Sequence, residues 1–100
     1  MTVKKEKDNN KLIVRITGSV DANTSEELRN EIIDELDDIA VVWFDMKEMD
    51  YISSAGLRVL LETYQTIEPD EGKIVLANVR EELREIFVLA GFSGFMEMND

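Results

Sequence analysis

Two adjacent hydroxyls, Ser53 and Ser54, stand where a polar connection passes into the amphipathic run Ala55-Gly56-Leu57-Arg58-Val59-Leu60-Leu61. The first turn of a helix leaves backbone N–H groups unpaired and carries the positive end of the helix dipole, so an anion held there meets ready donors. The chemistry open to this pair is phosphate carriage, with Ser54 the first candidate acceptor. Serine is equally a common helix cap, because its hydroxyl accepts from the turn that follows. The chain has no Cys and no His, which removes disulfides, thiolate zinc sites, a Ser/His/Asp triad, histidine metal ligation and a histidine phosphocarrier. Carboxylates, lysines and hydroxyls remain, and no pair of carboxylates is placed for acid–base catalysis, so an enzyme is not expected.

Other residues invite sharper readings that their surroundings do not support. Asp45 closes the apolar run Val41-Val42-Trp43-Phe44 where a receiver domain would carry its phosphorylated aspartate, but the Gly18-Ser19 region supplies no acidic pair for Mg²⁺ and residues 95–98 contain no lysine. Gly91-Phe92-Ser93-Gly94-Phe95 lacks the lysine that a phosphate-binding loop needs, and reads as a helix stop and turn. Met96 and Met98 read as edge packing. No motif calls for a cofactor or a metal.

One hundred residues, 44% apolar and 33% charged, suit a single domain over residues 1–100 with a modest core. With 22 acidic residues against 11 basic, the net charge of −11 repels nucleic acid and anionic lipid and favours a basic partner surface. Met1-Thr2-Val3-Lys4-Lys5-Glu6-Lys7 lacks the apolar core of a secretion signal, and no apolar run approaches the length of a membrane span. Direct membrane insertion is not expected, and a cytoplasmic location is.

The elements that must position the serines follow from periodicity. Lys11 to Thr17 alternate as a strand that Gly18 closes, and Asp8-Asn9-Asn10 before it signals a hairpin from a first strand near residues 2–7. Thr24-Ser25-Glu26-Glu27 reads as a capping box, and Leu28, Ile32, Leu36 and Ile39 make a buried stripe, predicting a helix over residues 25–39. Val41 to Phe44 and Ile74 to Ala77 have the composition of inner strands. Between them, Leu57, Leu60, Leu61, Tyr64 and Ile67 share the face of the helix that the serines open, and Glu68-Pro69-Asp70-Glu71-Gly72 is a turn. Asn78 with Glu81 predicts a cap for a third helix with a stripe of Leu83, Ile86, Phe87 and Ala90. Gly91 stops it, and Phe95 to Met98 add a short edge strand.

This order implies an α/β domain with a mixed sheet of four to five strands, an N-terminal antiparallel hairpin and helices mainly on one face. The opposite face would then bare part of Val41 to Phe44, to be covered by the N-terminal strand and termini or by a partner. A monomer or weak homodimer is expected.

Residues 14–27, with Gly18, Asp21 and Thr24 in order, Val42-Trp43-Phe44-Asp45, the segment from Met49 to Leu61, and Leu89-Ala90-Gly91-Phe92 with Phe95 together resemble the STAS family, shared by bacterial anti-sigma-factor antagonists and the cytoplasmic ends of sulfate transporters. The resemblance implies a regulatory module in a partner-switching pathway. Unmodified, such an antagonist binds an anti-sigma factor that is also a serine kinase; phosphorylated at the start of the second helix, it is released. By position Ser54 takes the phosphate, and Gly56 and Leu57 match the residues that follow. The implied docking surface comprises Asp21, Asn23, Thr24, Ser53, Ser54, Gly56, Leu57 and Arg58, although Asp21 by itself also fits an ordinary turn before a helix. Two positions depart from the family pattern. Ser53 stands where many members have Asp, which makes it a second possible acceptor, and Ala55 stands where a second hydroxyl is frequent. A non-switching STAS adaptor subunit of a lipid-transport or signalling complex is the alternative.

Overall fold

Asn9, in the left-handed region at φ 55°, turns the chain between β1 (Thr2–Asp8) and β2 (Lys11–Val20), which pair antiparallel, in a computed structural model that describes residues 1–99. Beyond this hairpin every pairing is parallel. β3 (Val41–Asp45) lies beside β2, β5 (Lys73–Ala77) beside β3, and the two-residue β6 (Glu97–Met98) beside β5. The connections run through α1 (Thr24–Ile32), α2 (Ser54–Ile67) and α3 (Glu81–Leu89). Right-handed crossovers between neighbouring strands place all three helices on one face. Burial agrees: Leu12, Val14, Ile16, Val42, Phe44, Ile74 and Leu76 alternate beneath the helices and are each at most 1% exposed. Across the helices, Leu28, Ile32, Val59, Leu60, Leu83 and Phe87 complete this core. Burying one such side chain stabilises the fold by roughly 1.5–3 kcal/mol.

A sixth strand, β4 (Met49–Ile52), was not foreseen from the pattern. It pairs parallel with the last residues of β2, Gly18 with Met49, Ser19 with Tyr51 and Val20 with Ile52. Gly18 therefore does not close β2 as expected. Its φ of 91° places a bulge there, where its N–H reaches Glu48 O at 2.9 Å, and β2 continues to Val20 with β4 as its new neighbour. Glycine reaches this conformation without the Cβ clash other residues meet.

Three further expectations change. The first helix is shorter than residues 25–39: it ends at Ile32 and passes through a 3₁₀ turn, Ile33–Glu35, although Leu36 and Ile39 are still buried. Asp34, Glu35, Asp37 and Asp38 are ill-suited to the negative end of a helix, and Asp38 takes φ 61°. Asn78 does not cap α3. It takes φ 56° and its side-chain amide donates to Asp45 Oδ1 at 2.9 Å, while Arg80 is the N-cap residue. Ala90 is exposed, because α3 ends at Leu89 and Gly91 turns the chain at φ 84°. Phe95 packs back on Tyr64 and Phe92, with ring centroids 4.8 and 5.5 Å apart.

The sheet face away from the helices has an apolar centre, where Ile13, Trp43 and Val75 stand side by side in register with Val41 beside them. Val42 and Phe44 point into the core, so only Val41 and Trp43 of that run face outward, both half-buried. Lys11 Nζ sits 4.2 Å from the Trp43 ring centroid, and Arg15 lies between Glu6 and Asp45 at 3.7 Å from each. The N-terminal strand extends the edge of the sheet and does not cover this face.

Candidate functional site

At the shared carboxyl end of β2 and β4, the Ser53 N–H donates to Val20 O at 2.8 Å, which sets the turn containing Asp21 beside the start of α2. The two serines then divide the work. Ser53 is the N-cap residue, in extended conformation, and its Oγ accepts from Gly56 N at 3.2 Å. Ser54 is the first residue of α2 and is exposed; among the described residues its Oγ takes part in no hydrogen bond. One hydroxyl is committed to the cap and half-buried, and the next is free and faces solvent at the positive end of a 14-residue helix.

Gly56 explains how the helix start comes so close. It is buried, and a Cβ there would lie 2.6 Å from Ile52 Cγ1 and 2.8 Å from Val20 Cγ1. Of the expected docking residues it shapes the surface from beneath. Leu57 is half-buried against the core, whereas Arg58 is exposed and lines a shallow groove between α1 and α2 with Ser25, Glu26, Arg29, Ala55 and Glu62. Across that groove Arg29 Nε pairs with Glu62 Oε1 at 2.8 Å.

The capping box expected at Thr24 and Glu27 forms one turn earlier. Asp21 Oδ1 accepts from Asn23 N and Thr24 N, each at 2.9 Å, and Thr24 Oγ1 returns the bond by accepting from Asp21 N at 2.9 Å. Ser25 N reaches Asp21 O at 2.9 Å in the turn before α1, whose N-cap residue, Asn23, has no side-chain cap bond, and Glu27 stays exposed. Asn23 is exposed at the tip and Thr24 half-buried. The Thr24 backbone N–H, then its hydroxyl and the Asn23 N–H, hold the Asp21 carboxyl below its ordinary value of 3.8. A group whose folded value is depressed contributes stability that is present above the unfolded value and lost as pH falls through the folded one. Replacing Asp21 by Asn should therefore lower the melting temperature at pH 7, and the gap to the wild type should narrow as pH drops below the ordinary carboxylate range. Thermal unfolding at pH 7 and pH 3 checks this; a gap that widens in acid would contradict it.

Arg80, Asp50 and Tyr51 also stand at this edge, where no sequence pattern marks them. The Arg80 guanidinium donates to Met49 O and lies 3.4 Å from Asp50 Oδ1, tying the start of α3 to β4. Tyr51 is half-exposed beside the serines in sequence. β4 is too short to show a strand period, with Met49 and Ile52 buried and the two residues between them exposed. Without that strand nothing marked Arg80 as its tie. Asp45 has structural work: it accepts from Lys47 N at 3.1 Å and from Asn78, and faces Arg15. No helix among the described residues is long and apolar enough to cross a membrane.

Comparison with known proteins gives a consistent outcome. The family model described as STAS domain matches residues 2–100. The chain is 34% identical over 94 residues to BtrV of Bordetella bronchiseptica, whose name describes a candidate anti-sigma factor antagonist, covering 92% of this chain and 80% of that protein. It is 23% identical over 94 residues to the anti-sigma-B factor antagonist of Bacillus subtilis, covering 94% and 86%. In fold it resembles the unphosphorylated form of the anti-sigma factor antagonist SpoIIAA, with a TM-score of 0.81 at 18% identity over 99% of this chain and 88% of that one. SpoIIAA from Bacillus has also been solved phosphorylated.

Proposed function

This chain belongs to the STAS domain family, and on that premise we propose that it is an anti-sigma-factor antagonist, docking on a serine kinase of the anti-sigma type and released when Ser54 is phosphorylated. The observation that carries this reading is the division of labour at the start of α2: Ser53 Oγ caps the helix, and Ser54 Oγ is exposed and unbonded among the described residues. Phosphorylation there adds about −1.5 to −2 charge and three acceptor oxygens at a helix N-terminus, where an anion is tolerated, so the fold persists while the surface changes. The relatives' names support the pathway, and the geometry at the start of α2 favours Ser54 as the acceptor. Asp21, Asn23 and Thr24 on one side and Arg58 on the other frame the surface a partner would meet. No catalytic role is assigned to any residue.

The test is incubation with the anti-sigma-type serine kinase of the same genome and ATP, followed by peptide mass spectrometry. A single phosphate on Ser54 is expected, with Ser53 unmodified because its hydroxyl is engaged. No modification within residues 51–58, together with co-purification of a transport or ATPase complex in place of a kinase, would replace the switch with the adaptor reading.

A further inference from the structure

We propose that Arg58 is the intramolecular partner of a phosphate on Ser54, so that modification adds a dianion to the docking surface and at the same time withdraws a cation from it. The inference rests on Ser54 being the modified residue. Ser54 and Arg58 are four residues apart on α2 and both are exposed. Side chains at that spacing are neighbours, roughly 5–6 Å apart at Cβ, and an acid that precedes its base is the favoured order.

What makes Arg58 available is the arrangement around it. Among residues three or four positions away on α2, the only acid is Glu62, which lies on the carboxyl-terminal side in the less favoured order. Glu62 is already held by Arg29 from α1 at 2.8 Å. Glu26 lines the same groove but makes no ion pair with Arg58. In a chain of net charge −11, Arg58 is thus an exposed guanidinium with no ion pair among the described residues, one turn from the acceptor hydroxyl. A guanidinium can meet two phosphate oxygens at once, which a lysine cannot match.

In the unmodified protein Arg58 is open to a carboxylate on the partner. In the phosphorylated protein it turns to the phosphate, so two features of the docking surface change together.

The experiment needs no kinase: phosphoserine is placed at position 54 during translation in the full chain, and the second ionisation of the phosphate is followed by ³¹P NMR. With Arg58 present the phosphate should bind its last proton on the order of threefold more weakly than in the Arg58→Gln chain, with Arg58→Lys between them. The difference should shrink in about 1 M salt. Coincident titrations of the Arg and Gln chains would overturn the proposal. So would an Arg58 Nε–Hε resonance that does not move on phosphorylation of the otherwise unaltered chain, a readout independent of any variant's folding. Because the phosphate is installed directly, a depressed ionisation alongside a failed kinase assay would overturn the functional reading while leaving the Ser54–Arg58 pair standing.

Discussion

Under the proposed switch, replacing Ser54 by Glu is expected to weaken binding to the anti-sigma partner about a hundredfold, while Ser54→Ala binds constitutively and no longer responds to kinase and ATP. A factor of a hundred corresponds to about 2.7 kcal/mol, within the several kcal/mol that a like-charge juxtaposition at an interface costs. Glu carries one negative charge where phosphate carries nearly two, so the modified protein should bind more weakly still. The neighbouring serine separates charge from structure. Ser53→Ala removes the Oγ that accepts from Gly56 N, costing about 1 kcal/mol of stability, but leaves the acceptor at Ser54 in place. Calorimetric titration of the three variants, with thermal melts alongside, checks the pattern. Equal binding by Ser54→Glu and the wild type would sink it.

Gly56→Ala carries the largest expected structural effect. In an exposed helix the exchange would add about 1 kcal/mol of stability through helix propensity. Here the new methyl would meet Ile52 Cγ1 at 2.6 Å, Val20 Cγ1 at 2.8 Å and Ile52 Cδ1 at 3.2 Å. Both neighbours are β-branched, are at most 2% exposed and belong to strands paired with each other, so neither can swing aside. Overpacking of this kind costs about 1–3 kcal/mol, and with so little room for relief the upper end should prevail. The net loss should be about 1 to 2 kcal/mol, a fall of about 5 to 15 °C in melting temperature for a domain of this size. Since the methyl would push the first turn of α2 away from β2 and β4, the proposed phosphorylation of Ser54 should slow as well. A melting temperature at or above that of the wild type would show that the contact can relax.

Much of the scaffold was legible because it depends on short-range pattern. The alternation in β2, the apolar runs of β3 and β5, the three amphipathic stripes, the turn at Asn9 and the stop at Gly91 each bury apolar area or relieve backbone strain through neighbours close in sequence. The features that escaped depend on partners far away. The short β4 exists because the end of β2 offers it an open edge. Asn78 leaves its expected cap because Asp45 offers it a bond across 33 positions. At Asp21 the reciprocal bonds close on Thr24, in the turn that leads into the helix and not at the helix start that Thr24 and Glu27 suggested.

The site divides along the same line. By itself the sequence determined that a helix start with two serines would stand at one end of a parallel sheet, since that follows from hydrophobic period and strand order. Only the tertiary structure set the two serines apart, one bonded in the cap and one exposed, and revealed the spare cation. Ser53 is drawn into the cap by a backbone bond to Val20, thirty-three positions earlier, which leaves Ser54 outside, and Arg29 on another helix occupies Glu62, which leaves Arg58 without an ion pair among the described residues. Both outcomes are competitions for a hydrogen-bond or charge partner, and they are settled by which groups the fold brings within about 3 Å of one another.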